Sequence, residues 1–170
     1  PGLADPETLA AIDARAASRA DRVFLVDSRD HAGACPRCVR KLNAHEALAL
    51  VGAAGDPRRP VTEDEASEAA RRLAAGGSAP LFVTLGAAGM LVAGDGEVQR
   101  VPALPAPGPV DSVGAGDTVT AALGACLAAG CPPLLAAQVA TLAAGVTVRK
   151  LRTTGTATPD EILTLHAEVA

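Results

Sequence analysis

The stretch Val110-Asp111-Ser112-Val113-Gly114-Ala115-Gly116-Asp117-Thr118, continuing as Val119-Thr120-Ala121-Ala122-Leu123, decides the reading of this chain. A Pro-rich approach, Pro102 to Pro109, precedes it. Proline's fixed φ and missing N–H exclude a helix there and predict an extended lead-in. An Ala/Leu-rich run to Ala129 follows, closed by Gly130 and then Pro132-Pro133, which are helix stop signals. A loop of small residues therefore opens directly onto a helix N-terminus. Such an end leaves its first backbone N–H groups without intrahelical partners and carries about half a positive charge from the helix dipole. Gly114, Ala115 and Gly116 hold almost no side chain, so an anion can approach those amides closely. A phosphate group is the natural guest.

Asp117 is the informative residue beside that loop. A carboxylate in the first helical turn is favoured by the dipole and is expected to stay ionised at neutral pH. Moving a phosphoryl group onto a hydroxyl needs donors for the charge developing on the phosphoryl oxygens and a carboxylate to take the hydroxyl proton. Taken alone, the same residues also fit a tight turn and a dipole-complementing acid, because short glycine motifs are common.

Asp111-Ser112-Val113-Gly114-Ala115-Gly116-Asp117 resembles the C-terminal signature of the ribokinase-like (PfkB) sugar kinases. The resemblance implies that Asp117 is the catalytic base, that the Gly114, Ala115 and Gly116 backbone forms an anion hole, and that Asp111 belongs to the cofactor-binding set. Gly124 departs from the family pattern, where an aliphatic or small hydroxyl residue is usual; that bears on helix packing rather than on chemistry.

Working outward, Pro6 to Ala20 has apolar residues at helical spacing with proline in the first turn, and predicts an amphipathic helix. Arg22 to Asp27 predicts a short, fully buried strand ending in a carboxylate. This helix-then-strand rhythm is that of a parallel α/β sheet, whose ligands collect at the strand C-terminal ends, so Asp27 and Arg29 are site-facing candidates. An ordinary solvated loop fits them equally. His31, Cys35, Cys38 and His45 are spaced as zinc ligands could be, yet a second close pair is missing; two ordinary thiols near a loop is the preferred reading.

After a short strand, Val39 to Leu42, the segment Asn43-Ala44-His45-Glu46 opens a helix to about Val51. Locally it is a capping box, with Asn43 as N-cap and Glu46 three residues on. It also resembles the same family's Asn-x-x-Glu motif, which implies that Asn43 and Glu46 help hold Mg2+, through water, near the nucleotide phosphates. One carboxylate with waters and phosphates suits that ion. Thr62 and Glu65 form a second capping box for a helix ending at Gly76-Gly77.

Pro80 to Leu85 predicts a second buried strand, and Met90–Ala93 with Glu97–Val101 a hairpin around Asp95-Gly96. Thr84-Leu85-Gly86-Ala87-Ala88-Gly89 is ordinary turn chemistry by itself. It resembles the family's nucleotide-side Thr-x-Gly-x-x-Gly, which implies cofactor contacts at Thr84, Gly86 and Gly89. Leu134 to Lys150 predicts a long buried helix. There Ala143, Ala144 and Gly145 resemble the small residues lining the family's adenine pocket, while Thr141-Leu142 stands where the family often has Asn. A last helix is capped by Thr158 with Pro159 and Glu161. Val148-Arg149-Lys150-Leu151 with Gly155-Thr156-Ala157 most resembles the heptose-phosphate kinase branch.

The chain of 170 residues has the length of one domain, is nearly half apolar and carries a net charge of −4. These values point away from nucleic acid and membrane surfaces as partners. No apolar run has the length of a membrane span and no basic-then-apolar leader opens the sequence, so a cytoplasmic protein with reduced cysteines is expected. Trp and Tyr are absent, which removes common stacking platforms for sugars and bases.

The expectation is thus an α/β, three-layer ribokinase-like fold with a mainly parallel sheet. It would form the nucleotide-binding and catalytic portion of an ATP-dependent sugar or sugar-phosphate kinase using Mg2+. The family's first strands, Gly-Gly sugar motif and lid have no counterpart here, so a separate N-terminal half or a homo-oligomer is an expected partner. A nucleotide-binding remnant without catalysis and a zinc or thiol module are the alternatives.

Overall fold

A computed structural model describes residues 4–169. Along the chain run α1 (Pro6–Ser18), β1 (Leu25–Asp27), β2 (Val39–Asn43), α2 (Ala44–Leu50), α3 (Glu63–Ala75), β3 (Leu81–Thr84), β4 (Gly89–Gly94), β5 (Glu97–Pro102), α4 (Ala115–Ala128), α5 (Pro133–Thr147) and α6 (Pro159–Val169). They fall into two compact units. One takes the chain up to Gly86 with Met90–Arg100; the other takes Ala87–Gly89 and the chain from Val101 onward.

The first unit is built on a five-stranded sheet in the order β1-β2-β3-β4-β5. β1, β2 and β3 are parallel, as the helix-then-strand rhythm predicts, whereas β4 returns antiparallel to β3. The sheet is therefore mixed. The reversal follows from chain length: only Leu85 to Ala88 join β3 to β4, too few residues for a crossover helix. Asp95 and Gly96 link β4 to β5 with φ of 51° and 82°, the two left-handed positions of a type I′ hairpin turn.

Strand alternation then sorts the side chains. Leu42, Leu81, Val83, Leu91 and Ala93 pack with Ala47 and Leu48 of α2 and Ala66, Ala69 and Ala70 of α3 into one core. Each large aliphatic side chain fully removed from water there contributes about 1.5–3 kcal/mol. The helix side of this core is mostly alanine, with Leu48 and the partly buried Leu50 and Leu73 as its larger side chains. β1 departs from expectation. It is three residues long and half-buried, with Asp27 exposed. Its place at the sheet edge, with β2 alone beside it, explains this.

In the second unit α4 packs on α5, and α5 on α6. Ala136, Ala137, Ala140 and Ala143 are all buried on α5. α4 runs unbroken through Gly124, where a Cβ would meet nothing within 4 Å, so the family departure at this position costs no packing. α5 stops at Thr147, before the expected Lys150, because the Arg149 and Lys150 amides tighten onto Val146 and Thr147 carbonyls three residues back. No helix of the described residues is long and apolar enough to cross a membrane.

Candidate active site

In the second unit the loop before α4 has Gly114 as N-cap, in the left-handed region at φ 80°. No side chain larger than hydrogen fits easily there. A Cβ on Gly114 would lie 3.1 Å from Thr154 Cγ2, on top of the strain of that φ. Ala115 donates its amide to the Ser112 carbonyl at 3.2 Å, whereas the Gly116 and Asp117 amides have no backbone acceptor among the described residues. Two adjacent donors thus face outward at the positive end of a 14-residue helix. Asp117 is the third helical residue and is exposed, and no hydrogen bond or ion pair holds its carboxylate among the described residues.

The loop is braced from three sides. Asp111 accepts the Val113 amide at 3.0 Å on one carboxylate oxygen and the Arg152 amide at 3.1 Å on the other, and donates its own amide to Val148. Thr118 donates both its amide (2.9 Å) and its hydroxyl (3.0 Å) to the Gly114 carbonyl. Thr147, fully buried at the end of α5, donates its hydroxyl to Thr118 Oγ1 at 3.0 Å. Sequence reading missed Thr118 and Thr147 as supports of the loop; only the pairing of α4 with α5 brings these hydroxyls together. Lys150 reaches the Thr156 carbonyl and the Glu161 carboxylate, each at 2.6 Å, and so holds the segment that backs Gly114. That pairing, with the Thr158 amide, holds the Glu161 carboxyl down at about 2.

The other candidates of this unit are placed as follows. Gly89 is tightly enclosed, since a Cβ there would lie 2.6 Å from the Ala103 nitrogen. Ala143 is 1% exposed, and Gly145 is faced by Leu104 and Leu165. Thr141 keeps a buried hydroxyl with no partner among the described residues.

In the first unit Asn43 and Thr84 are register partners at the C-terminal ends of β2 and β3, with Gly86 two residues past Thr84. Asn43 and Glu46 make a complete capping box. The Asn43 side chain accepts the Glu46 amide at 2.9 Å, and Glu46 Oε2 accepts the Asn43 amide at 2.8 Å. Glu46 Oε1 lies 3.7 Å from Arg29 Nε. Asp27 pairs with the largely buried Lys41 at 3.0 Å, its partner in the register of β1 and β2. Lys41 was not legible as a site neighbour, because only strand register puts it opposite Asp27.

Mg2+ fits this arrangement in one way. Glu46 has one oxygen spent on the cap and the other toward a guanidinium, and no group of three or more His, Cys, Asp or Glu among the described residues is placed to hold a metal. Asn43 and Glu46 therefore suit an ion held mainly by phosphates and water, touched through its waters. His31 and His45 do not join Cys35 and Cys38 in a ligand set. Both thiols are buried, and burial pushes Cys38 up to about 11.

Residues 5–161 match the family described as pfkB family carbohydrate kinase. The chain is 39% identical to the Bifunctional protein HldE of Caulobacter sp. (strain K31) over 99% of its own length and 34% of that protein. It is 41% identical to the Bifunctional protein HldE of Halorhodospira halophila over 86% of its length and 30% of that one. The chain thus spans about a third of the length of these curated relatives. Among solved structures, phosphofructokinase-2 from Escherichia coli in complex with potassium superposes with a TM-score of 0.79 at 23% identity. The match covers 99% of this chain and 54% of that one. Arabidopsis thaliana ribokinase complexed with ribose and ATP matches 84% of this chain and 46% of that one with a TM-score of 0.68, at 23% identity. These likenesses establish a ribokinase-like α/β fold.

Proposed function

The chain belongs to the pfkB family of carbohydrate kinases, and from that premise we propose that it carries the nucleotide-binding and catalytic portion of an ATP-dependent phosphotransferase. The acceptor is a hydroxyl of a sugar phosphate, with a heptose phosphate favoured by the Val148–Leu151 and Gly155–Ala157 resemblance. The observation that carries this reading is the pairing, within one helical turn, of two outward amides with an unengaged carboxylate, Asp117.

In this mechanism Asp117 takes the proton of the acceptor hydroxyl as its oxygen bonds to the γ-phosphorus, and ADP leaves. The Gly116 and Asp117 amides receive the negative charge that builds on the transferring oxygens. Asp111, Thr118 and Thr147 keep the loop in the shape that points those amides outward. Mg2+, when bound, screens the phosphate charge, with Asn43 and Glu46 as its protein neighbours through water. Thr84 and Gly86 with Gly89, and Ala143 with Gly145, are proposed for the nucleotide. A sugar-binding part, on a separate N-terminal segment or a second subunit, completes the site.

Two measurements test this. Calorimetric titration with MgATP should give saturable binding that Gly116→Val abolishes, since its side chain crowds the anion loop. In a form of the protein complete for turnover, Asp117→Asn should abolish transfer while nucleotide binding persists; full activity of that variant would refute the mechanism. Nucleotide binding with no transfer in any complete form would instead favour a non-catalytic nucleotide-binding remnant.

A further inference from the structure

The C-terminus of α4 carries a feature that phosphoryl transfer does not use. The Cys131 amide donates to the Cys126 carbonyl at 3.0 Å, and the Gly130 amide to the Leu127 carbonyl at 3.0 Å, with Gly130 left-handed at φ 83°. These two bonds define a Schellman motif, in which the residue after the left-handed position folds back onto the residue three places inside the helix end. That contact is ordinarily apolar. Here both of its positions are cysteine, and both are half-buried rather than sealed. Burial, with the neighbouring Cys131 thiol, pushes the Cys126 thiol upward. The motif therefore sets the two cysteine side chains beside one another at the helix end.

We propose that Cys126 and Cys131 are a reversible oxidation site, closing to a disulfide with hydrogen peroxide as the oxidant. Cys131 sulfur attacks one peroxide oxygen, and the O–O bond breaks. The departing hydroxide leaves as water with the thiol proton, and a sulfenic acid remains on Cys131. Cys126 sulfur then attacks that sulfur, the S–O bond breaks, and a second water leaves with the Cys126 proton. Two thiols have lost two electrons and two protons, and the peroxide has become two waters. A small dithiol reverses the step by exchange. The same disulfide results whichever of the two sulfurs is oxidised first.

The other pair, Cys35 and Cys38, also lies together but is 1% and 0% exposed, with Cys38 pushed up to about 11. Its thiolates are scarce and its sulfurs unreachable, so it stays reduced under the same treatment. The sequence separates the two pairs cleanly. Trypsin cuts at Arg37, between Cys35 and Cys38, whereas Cys126 and Cys131 share the peptide bounded by Arg100 and Arg149.

The test is peptide mass analysis of the folded chain after brief peroxide treatment, unfolding and alkylation. The 101–149 peptide should lose about 2 Da and take no alkyl group, and dithiothreitol should restore both sites. Cys35 and Cys38 should remain alkylated. A doubly alkylated 101–149 peptide after treatment would overturn the proposal, as would a crosslink between the Cys35 and Cys38 peptides formed first. Cys131→Ser supplies the second arm: its Cys126 should survive peroxide that consumes the native pair, and equal loss in both proteins would show that the two sulfurs do not act together.

Discussion

Glu46 and Asp117 occupy the same position in two different helices, the third residue after the N-cap, and they are employed in opposite ways. In the first unit the N-cap is Asn43, whose side chain takes the Glu46 amide while Glu46 reaches back to the Asn43 amide. The glutamate is long enough to close that ring, and its second oxygen lies toward Arg29. In the second unit the N-cap is Gly114, which has no side chain to offer, and no capping hydrogen bond forms. Asp117, one methylene shorter, is left exposed with nothing holding it among the described residues. A capped helix start is a stability device; an uncapped one leaves amides and a carboxylate for chemistry.

The largest effect should come from Asp117. Asp117→Asn is expected to lower phosphoryl transfer by about 10²–10⁴-fold. Because only the interaction of its charge with the helix start is lost, stability should fall by no more than about 0.3–1 kcal/mol; a larger fall would break the contrast by giving Asp117 a structural task.

Next is the buried brace of the same loop. Thr147→Val removes a donor from Thr118 inside the α4–α5 contact, and should cost about 1–3 kcal/mol in denaturant melts. Thr147→Ser should recover most of it, and indifference to both would show that the loop holds itself.

Glu46 should behave as the reverse of Asp117. Glu46→Ala opens the capping box and should cost about 0.3–1.5 kcal/mol. Glu46→Gln keeps an oxygen for the Asn43 amide, so it should spare stability while weakening MgATP binding in calorimetry. Unchanged binding there would confine Glu46 to its cap.

The smallest effect is set by acid. The folded-state value of Glu161 is held at about 2, against an ordinary 4.5, so the contribution of its pairing with Lys150 and Thr158 is whole above that ordinary value and fades as pH falls toward the lower one. Melts through this range should show the α6 end loosening in the native chain and a flatter response in Glu161→Gln.

Much of this is legible in the sequence alone. Pro102 to Pro109 and the glycine loop place a helix start after them, and the stop at Gly130 puts the end of α4 within a residue, because proline and glycine act through their own backbone and need no neighbours. The three capping boxes were readable for the same reason, each being closed within four residues. β1 was read as longer and more buried than it is, since an apolar run cannot tell an edge strand from a central one. Gly130 marks the helix stop in the sequence, but that the chain folds back there to bring Cys131 to Cys126 is decided by the backbone bonds of the turn.

The sequence by itself determined where helices begin, which carboxylates stand at their first turns, and the kinase signature that places the chain in its family. These are local properties, carried by backbone limits and short spacings. Tertiary structure alone decided that Arg152 reaches Asp111, that Lys41 meets Asp27, and that Thr147 steadies Gly114 through Thr118. Those contacts join residues far apart in the chain, and nothing in local spacing fixes which side chains packing will bring face to face.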